Sequence, residues 1–368
     1  MRKALVAMLR RLREPYWRFK FEEFKRLVQA AGYVIIQEVI QLKDKPKSAT
    51  LFGRGKIEEM KKIIEENDIE YVIVYNVLKS IQKANLELAL RRTVLDRYDI
   101  TLEIFANNAT DTVSKLQIEL AKIQREIPYV RLMVNARFRG DRVFIGAGGE
   151  YKWKVILSSL RRRMKNLKEE IERRRAEKLR IIESRKKDGF KIVSIIGYYN
   201  AGKTSLFNAL TGENKPVSDM PFTTLSSKYS RILGASKILL VDTIGFVVDL
   251  DPRIISSFEL NIDDIRYSDA LIHVIDASDS PEWFRIKFIT SLDILEKEGI
   301  KDTKRIIALN KIDLLKDTLE IEMIKNIIEG ESKKRLGFVP PIVEVSAKSK
   351  IGLSKLVKVL IDELELVS

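Results

Sequence analysis

Hydrophobic and polar residues follow two different periods along the first hundred positions of the chain. Short runs rich in β-branched and aromatic residues predict strands, and longer runs with an apolar residue every three or four positions predict helices. The predicted strands are KALVAML, YVIIQEVIQL, EYVIVYN and TVLDRYDIT. The predicted helices are RFKFEEFKRLVQAAG, KIEEMKKIIEEN and KSIQKANLELALRR. Strands and helices that alternate in this way indicate a small α/β domain with a largely parallel sheet.

A long helical pattern follows over residues 102–135. Its apolar stripe consists of Leu116, Ile118, Leu120, Ile123 and Ile127. A glycine-bearing stretch then leads to a second helical segment, residues 151–187, which is very basic and again carries an apolar residue every three or four positions. We predict a helical hairpin with one packed face and one charged face.

The segment FKIVSIIG begins a new series of strands, loops and helices that repeats to the end of the chain. We therefore predict an α/β fold class with two domains. The N-terminal domain covers 1–187, with an α/β part over 1–101 and the helical hairpin over 102–187. The second domain covers 188–368 and has a mostly parallel sheet.

Charge separates the two halves of the chain. The formal net charge is +15, but residues 1–190 carry 43 Lys and Arg against 26 Asp and Glu, a net of +17. Residues 191–368 carry 24 against 26, a net of −2. This asymmetry predicts a polyanionic partner for the first half, either nucleic acid or an anionic membrane surface. A basic surface that serves solubility alone is the alternative.

Composition excludes several classes of protein. The chain has no cysteine, which rules out disulfides and thiolate metal sites and fits a reducing cytoplasm. No apolar run reaches the ~18–20 residues that span a bilayer. Arg10, Arg11 and Arg13 interrupt the short apolar start, so a signal peptide is not expected. We expect a cytoplasmic monomer with no stable membrane insertion.

The segment GYYNAGKT, residues 197–204, matches the phosphate-loop pattern G-x-x-x-x-G-K-[ST]. It follows the strand KIVSII and opens the helix SLFNALTG, which is the context that this motif requires. Backbone amides and the helix N-terminus would surround phosphate oxygens, Lys203 would reach the β- and γ-phosphates, and Thr204 would bind Mg²⁺. The predicted phosphate-binding residues are Gly197, Tyr198, Tyr199, Asn200, Ala201, Gly202, Lys203, Thr204 and Ser205.

Two further motifs occur where GTPases of the translation-factor class have their switch segments. In PFTT (221–224), Thr224 is expected to give Mg²⁺ a second hydroxyl. In DTIG (242–245), Asp242 would hold the metal through water, and the Gly245 amide would sense the γ-phosphate. The predicted nucleotide-binding residues of these segments are Phe222, Thr223, Thr224, Asp242, Thr243, Ile244 and Gly245.

The last two motifs predict guanine as the base. NKID places Asn310, Lys311 and Asp313 after an apolar strand, and VEVSAK ends in Ser346, Ala347 and Lys348. The Asp313 carboxylate can accept hydrogen bonds from the N1–H and N2 amino groups of guanine, which adenine does not offer. A backbone amide in the second motif can bind guanine O6. GTP and GDP are therefore the expected ligands, with Mg²⁺ held by Thr204, Thr224 and Asp242.

The expected catalytic residues are Lys203, Thr224, Gly245 and Phe246. Phe246 stands where many such enzymes have a glutamine that orients the attacking water. Because a phenyl ring cannot orient water by hydrogen bonding, we expect slow intrinsic hydrolysis; Phe246 is equally compatible with a packed core residue. Asn200 either coordinates a monovalent cation such as K⁺ or is a plain loop residue. The single histidine, His273, lies in an apolar strand and is interpreted as a core residue.

Longer segments carry a family resemblance. They are LFGRGKIEEM (51–60), DRYDITLEIFANNA (96–109), KLQIELAKIQ (115–124), PFTTLS (221–226), DTIGFVVDL (242–250) and DALIHVIDAS (269–278). Through them the chain resembles the HflX family of ribosome-associated GTPases over nearly its whole length. The loop FRGDRVFIGAGGEYKW departs from the family's usual glycine-rich, acid-containing run, and Val248 stands where a basic residue is frequent.

The resemblance implies an N-terminal α/β domain with a helical hairpin, followed by a P-loop GTPase domain. It implies binding to the large ribosomal subunit and its RNA through the basic half, in ribosome splitting, rescue or assembly under stress. It also implies that Thr224 is the switch threonine and that Phe246 replaces the usual glutamine. Two alternatives stay open: an RNA-binding or RNA-remodelling protein that uses GTP without ribosomes, and a membrane-surface GTPase with residues 151–187 as a basic amphipathic anchor.

Overall fold

Contacts within the chain divide it into two units. The computed structural model describes residues 2–136, 149–217, 221–222, 227–249, 251–315 and 318–365. Unit 1 comprises residues 1–107 and 115–173, and unit 2 comprises 108–114 and 174–368. The chain passes between the units at 107/108, 114/115 and 173/174, whereas the domain boundary predicted from the sequence is 187/188. No helix in the described ranges is long and apolar enough to cross a membrane.

Unit 1 is built on a four-stranded parallel sheet in the order β2-β1-β3-β4. Its strands are β1 (Arg2–Arg10), β2 (Tyr33–Leu42), β3 (Tyr71–Val74) and β4 (Thr93–Asp96), and the helices between them are α1 (Trp17–Ala30), α2 (Arg54–Glu66) and α3 (Ser80–Leu90). The central strand β1 is apolar on both faces, as expected for a parallel sheet covered by helices, and its residues from Ala4 to Met8 are fully buried.

The predicted strand TVLDRYDIT is only partly a strand. β4 ends at Asp96, and α4 (Arg97–Asn108) starts at the next residue. Asp96 and Asp99 cap this helix reciprocally: the Asp99 amide donates to Asp96 Oδ1 at 3.1 Å, and the Asp96 amide donates to Asp99 Oδ2 at 3.2 Å. These two bonds satisfy amides that a helix start leaves without partners, so the helix begins inside the β-rich sequence.

The helix predicted over 102–135 is two helices. α4 ends at Asn108, and α5 (Thr112–Ala136) begins after a short break in which Asp111 Oδ1 accepts the Ser114 amide at 2.9 Å. The second long helix is α6 (Gly149–Lys187). Within unit 1, Glu119 of α5 binds Arg163 of α6 through two hydrogen bonds of 2.6 and 2.8 Å. Residues 137–148, which the hairpin prediction assigned to the connecting loop, lie outside the described residues.

Unit 2 contains a six-stranded sheet in the order β10-β9-β8-β5-β7-β6. All neighbouring strands are parallel except the edge pair β6–β7, which is antiparallel. These two strands follow each other without a helix between them, unlike the predicted alternation of strands and helices. The strands are β5 (Lys191–Ile196), β6 (Lys228–Ile232), β7 (Ala235–Asp242), β8 (Ala270–Asp276), β9 (Lys304–Asn310) and β10 (Ile342–Glu344). The helices are α7 (Lys203–Thr211), α8 (Pro252–Ser257), α9 (Glu259–Arg266), α10 (Pro281–Lys297), α11 (Thr318–Leu336) and α12 (Leu353–Glu363). The predicted α/β class with mostly parallel sheets is confirmed.

The last turns of α6 belong to unit 2. Ile182 is buried against Ile192 of β5 and Val241 of β7. On α9, the fully buried Asp263 binds Arg175 through hydrogen bonds of 2.6 and 3.0 Å. The neighbouring Asp264, also fully buried, accepts a hydrogen bond of 2.6 Å from the ammonium of Lys178. Apolar packing and buried ion pairs together attach this basic segment to the sheet and to α9.

Candidate functional site

The carboxyl ends of the parallel strands β5, β7, β8 and β9 carry the predicted nucleotide motifs. Ligands of open α/β sheets bind at this edge, because the loops that follow the strands converge there. The phosphate loop follows β5, the DTIG segment begins at the end of β7, and the NKID segment begins at the end of β9. Sequence segments that lie more than a hundred residues apart therefore meet at one edge of the sheet.

The phosphate loop joins a buried strand to the first turn of α7. Gly202 has φ 88° at the N-cap, and a Cβ at this position would collide with the Asn310 side-chain nitrogen. Lys203 is 8% exposed, and its ammonium donates to the Tyr198 carbonyl at 2.9 Å. Burial lowers the pKa of Lys203 to about 8, and the charge of Asp242 opposes that shift. An anionic phosphate in the loop would supply the counter-charge that this buried ammonium requires.

The rest of the phosphate loop differs in exposure. Tyr198 is buried, and its hydroxyl accepts the Val248 amide at 2.8 Å. Tyr199 is half-buried beside it, with ring centroids 5.3 Å apart. Asn200 is exposed and has φ 58°. Ala201 is buried, and Ser205 is half-buried in the first turn of α7.

The metal side of the predicted site contains a hydroxyl and a carboxylate in contact. Thr204 Oγ1 donates to Oδ2 of the fully buried Asp242 at 3.2 Å. An alcohol and a carboxylate are oxygen donors of the kind that Mg²⁺ takes beside nucleotide phosphates, so these residues fit the ion. Thr223 and Thr224 lie outside the described residues. Phe222, just before them, is buried with φ 58°.

The DTIG segment is joined to the phosphate loop by backbone hydrogen bonds. The Phe246 amide donates to the Gly197 carbonyl at 3.0 Å, and the Tyr199 amide donates to the Phe246 carbonyl at 2.9 Å. The Phe246 side chain is 2% exposed, which agrees with the packed-core interpretation of this residue. At Gly245 a Cβ would lie 2.8 Å from the Lys203 ammonium, so any side chain there would displace the lysine.

Two other residues of this segment are turned toward the protein interior. Thr243 is fully buried, and its hydroxyl donates to the Ile195 carbonyl at 2.6 Å. Ile244 is 7% exposed. In the described structure both side chains therefore fix the segment against the sheet.

The base-binding end is held together by the buried Asn310. Its Nδ2 donates to the Ala201 carbonyl at 2.9 Å, and its Oδ1 accepts the Ala347 amide at 3.0 Å. The ammonium of Lys311 donates to Asp276 Oδ2 at 2.6 Å. Asp313 is exposed in the short 3₁₀ helix Ile312–Leu314, so its carboxylate is accessible to a base.

The SAK segment is ordered by its own hydrogen bonds. Ser346 is fully buried, its backbone pairs with Ile351 at 3.0 and 3.1 Å, and its hydroxyl accepts the Ser349 amide at 3.0 Å. Lys348 is exposed beside it. Hydrogen bonds thus join the phosphate loop and the DTIG, NKID and SAK segments at one edge of the sheet.

Two residues that contact this site were not predicted from the sequence. Asp276, at the end of β8, pairs with Lys311, and its place at the carboxyl end of a buried strand was a usable signal. Lys215, in the loop after α7, has its ammonium 3.0 Å from Asp242. No local pattern identifies a lysine in a loop as the partner of an aspartate on a distant strand.

The described part of the chain contains no cluster of three or more His, Asp or Glu side chains that could hold a metal ion without a nucleotide.

Known proteins match both halves of the chain. A family model described as GTP-binding GTPase N-terminal matches residues 19–106, and one described as 50S ribosome-binding GTPase matches residues 192–311. GTPase HflX of Thermococcus kodakarensis is 35% identical over 327 residues, which is 89% of this chain and 74% of the relative. GTPase HflX of Saccharolobus solfataricus is 32% identical over 337 residues, which is 91% of this chain and 93% of the relative.

Solved structures agree with the sequence relatives. The crystal structure of SsGBP with GDP aligns over the full length of both chains with a TM-score of 0.55 and 28% identity. A GTP-binding protein from the hyperthermophilic archaeon Sulfolobus solfataricus in complex with GDP does so with a TM-score of 0.50 and 27% identity. The predicted resemblance is confirmed: the chain is a GTP-binding, GTP-hydrolysing protein that belongs to the HflX family of GTPases.

Proposed function

We propose that this GTPase associates with the large ribosomal subunit through its basic N-terminal half and acts in ribosome splitting, rescue or assembly under stress. The observation that supports this proposal most is the set of exposed basic side chains on α6, which lies within the N-terminal region of net charge +17. The match to a family model described as 50S ribosome-binding GTPase supports the choice of partner.

The arginines of α6 are arranged for contact with a polyanion. Arg161 and Arg162 are exposed, and neither forms an ion pair with another described residue. Arg163 is also exposed but pairs with Glu119, and Arg173 pairs with Glu170. Exposed arginines without acidic partners can bind RNA phosphates and release their counterions, which supplies most of the affinity in such complexes.

Hydrolysis would be slow until the partner binds. Phe246 occupies the position after DTIG, and its buried ring and paired backbone offer no group to an attacking water. A missing water-orienting group costs orders of magnitude in GTPases of this class. The ribosome would therefore supply or position the missing group and stimulate turnover.

Cations would complete the nucleotide site. Mg²⁺ would be held by Thr204, by Asp242 through water and by Thr224, and it would neutralise charge on the phosphates. Asn200 is exposed at the phosphate loop, so its amide oxygen is accessible to a monovalent cation. Replacing K⁺ by Na⁺ should then lower hydrolysis by the native protein but not by Asn200→Ala. Equal rates in both salts would contradict a role for K⁺.

Cosedimentation with isolated ribosomal subunits tests the ribosomal proposal. Native protein loaded with a non-hydrolysable GTP analogue should pellet with large subunits more than GDP-loaded protein. Arg161→Ala/Arg162→Ala should weaken this binding severalfold and flatten its salt dependence. The matched control is Lys333→Ala/Lys334→Ala, which removes two exposed charges from α11 in unit 2.

Phosphate release, together with binding measurements, distinguishes the alternatives. Faster GTP hydrolysis in the presence of large subunits supports the proposal. Salt-sensitive binding to naked RNA with no effect of subunits on binding or turnover would favour the ribosome-independent RNA-binding protein. Binding to anionic vesicles alone would favour the membrane-surface GTPase.

A further inference from the structure

Lys215 forms an ion pair at the metal side of the site. Its Nζ lies 3.0 Å from Asp242 Oδ2, the same oxygen that accepts the Thr204 hydroxyl at 3.2 Å. The Asp242 side chain is fully buried, and that of Lys215 is 16% exposed. A buried carboxylate needs a cation or several hydrogen-bond donors, and here a lysine from the following loop provides the cation.

The lysine is held in place by two neighbours on α7. Asn208 binds both backbone groups of Lys215: its Nδ2 donates to the carbonyl at 2.9 Å, and its Oδ1 accepts the amide at 3.1 Å. The Lys215 ammonium also lies 4.2 Å from the centre of the Phe207 ring, within the range of a cation–π contact. Since Asn208 is one turn beyond Thr204, one helix fixes both the lysine and the hydroxyl that meet at Asp242.

We propose that Lys215 is an internal counter-ion of Asp242 and that its ammonium competes with Mg²⁺ for this carboxylate. Two cations that share one carboxylate repel each other, and the repulsion is strong where water is excluded. Lys215 therefore lowers the affinity of the site for Mg²⁺ and stabilises the site without it. The inference rests on the proposed role of Asp242 at the metal.

Metal binding to the GDP-loaded native protein and its variants tests the proposal. Mn²⁺ replaces Mg²⁺ as the probe, and its free concentration is read by electron paramagnetic resonance at constant pH. Lys215→Met keeps an apolar side chain but removes the charge, and it should tighten Mn²⁺ binding about five- to fifty-fold. Lys215→Arg keeps the charge and should stay close to the native affinity. Lys237→Met removes an exposed charge from β7 without touching Asp242 and serves as the control.

Thermal unfolding in EDTA gives an independent measurement. Without metal, Lys215→Met should unfold at a lower temperature than Lys237→Met, because Asp242 has lost its cation. Saturating concentrations of Mg²⁺ and GDP should remove this difference in unfolding temperature. Native Mn²⁺ affinity in a folded Lys215→Met variant would overturn the proposal.

Asp242→Asn separates this inference from the proposed metal site. If Asp242→Asn weakens Mn²⁺ binding while Lys215→Met leaves it unchanged, only the role of Lys215 is wrong. If Asp242→Asn binds Mn²⁺ as the native protein does, the assignment of Asp242 to the metal is wrong as well.

Discussion

The side-chain amide of Asn310 donates a hydrogen bond of 2.9 Å to the carbonyl of Ala201, which joins the NKID segment to the phosphate loop. The same side chain accepts the Ala347 amide at 3.0 Å, and it is 2% exposed. One asparagine therefore holds together the loops at the phosphate end and the base end of the nucleotide site. Binding of a nucleotide that contacts both ends would therefore depend on Asn310, even if the nucleotide does not touch the Asn310 side chain.

Asn310→Ala should weaken GDP binding by roughly ten- to a hundred-fold, a cost of about 1.4–2.7 kcal/mol, because two buried backbone groups in the binding loops lose their partner. Asn310→Asp keeps an acceptor for the Ala347 amide but places an oxygen against the Ala201 carbonyl, so it should also weaken binding. Isothermal titration measures both affinities. Native affinity in Asn310→Ala would mean that the nucleotide itself organises the two loops.

The Asp313 carboxylate is expected to select guanine. Asp313→Asn should relax the preference for guanine nucleotides in favour of xanthine nucleotides, since an amide can donate to the O2 of xanthine. Competition between GDP and XDP for the phosphate loop measures the change. Because Asp313 is exposed, the substitution should leave the melting temperature of the nucleotide-free protein within a few degrees. Unaltered preference would exclude this aspartate as the group that binds the base.

Phe246 is expected to stabilise the fold rather than orient water. Phe246→Gln places an amide in an apolar site. Phe246→Ala leaves a cavity that should lower the free energy of unfolding by about 3–5 kcal/mol. Both should lower the melting temperature, and Phe246→Gln should not raise the basal rate of phosphate release. Phe246→Leu, which stays apolar, is the milder control. A faster Phe246→Gln enzyme would show that the side chain faces the water after all.

The nucleotide motifs could be predicted from the sequence because each is short and contiguous, and four of the five directly follow an apolar strand. Contacts between remote segments could not be predicted in this way: the pairing of Lys215 with Asp242 depends on the path of a loop that no periodicity describes. The start of α4 was missed for a different reason. Tyr98, Ile100 and Thr101 favour strands by propensity, but the Asp96–Asp99 capping pair selected the helix, and D-x-x-D in the sequence was an available signal.

The pair of Arg175 and Asp263 should stabilise unit 2. Arg175→Ala removes the arginine that binds Asp263 through two hydrogen bonds and leaves this buried carboxylate with Arg266 alone, at 2.9 Å. We therefore expect the free energy of unfolding to fall by about 2–3 kcal/mol. Arg173→Ala removes an exposed arginine that pairs with Glu170 on the same helix, and it should lower the free energy of unfolding by less than about 1 kcal/mol. Hydrogen exchange of the β5 and β7 amides measures the local effect. Equal protection in the two variants would contradict a stabilising role for the buried pair.

His273 should make stability depend on pH. It is the only histidine and is 1% exposed, and its Nδ1 has no hydrogen-bond partner among the described residues. Burial, with the charges of Arg305 and Lys203, lowers the pKa of His273 well below its ordinary value of 6.5. Below about pH 6.5 the unfolded chain therefore binds a proton that the folded chain does not, and stability falls by about 1.4 kcal/mol per pH unit.

His273→Phe isolates this effect, because the ring beside Phe288, at 5.4 Å between centroids, is kept while the titrating nitrogen is removed. Urea unfolding at pH 7 and pH 5.5 should show a loss of stability in the native protein that exceeds the loss in the variant by about 1–2 kcal/mol. All other titrating groups are common to both proteins, so they cancel in the comparison. Parallel pH profiles would mean that His273 takes up its proton in the folded state, and a partner for the imidazolium would then have to form on acidification.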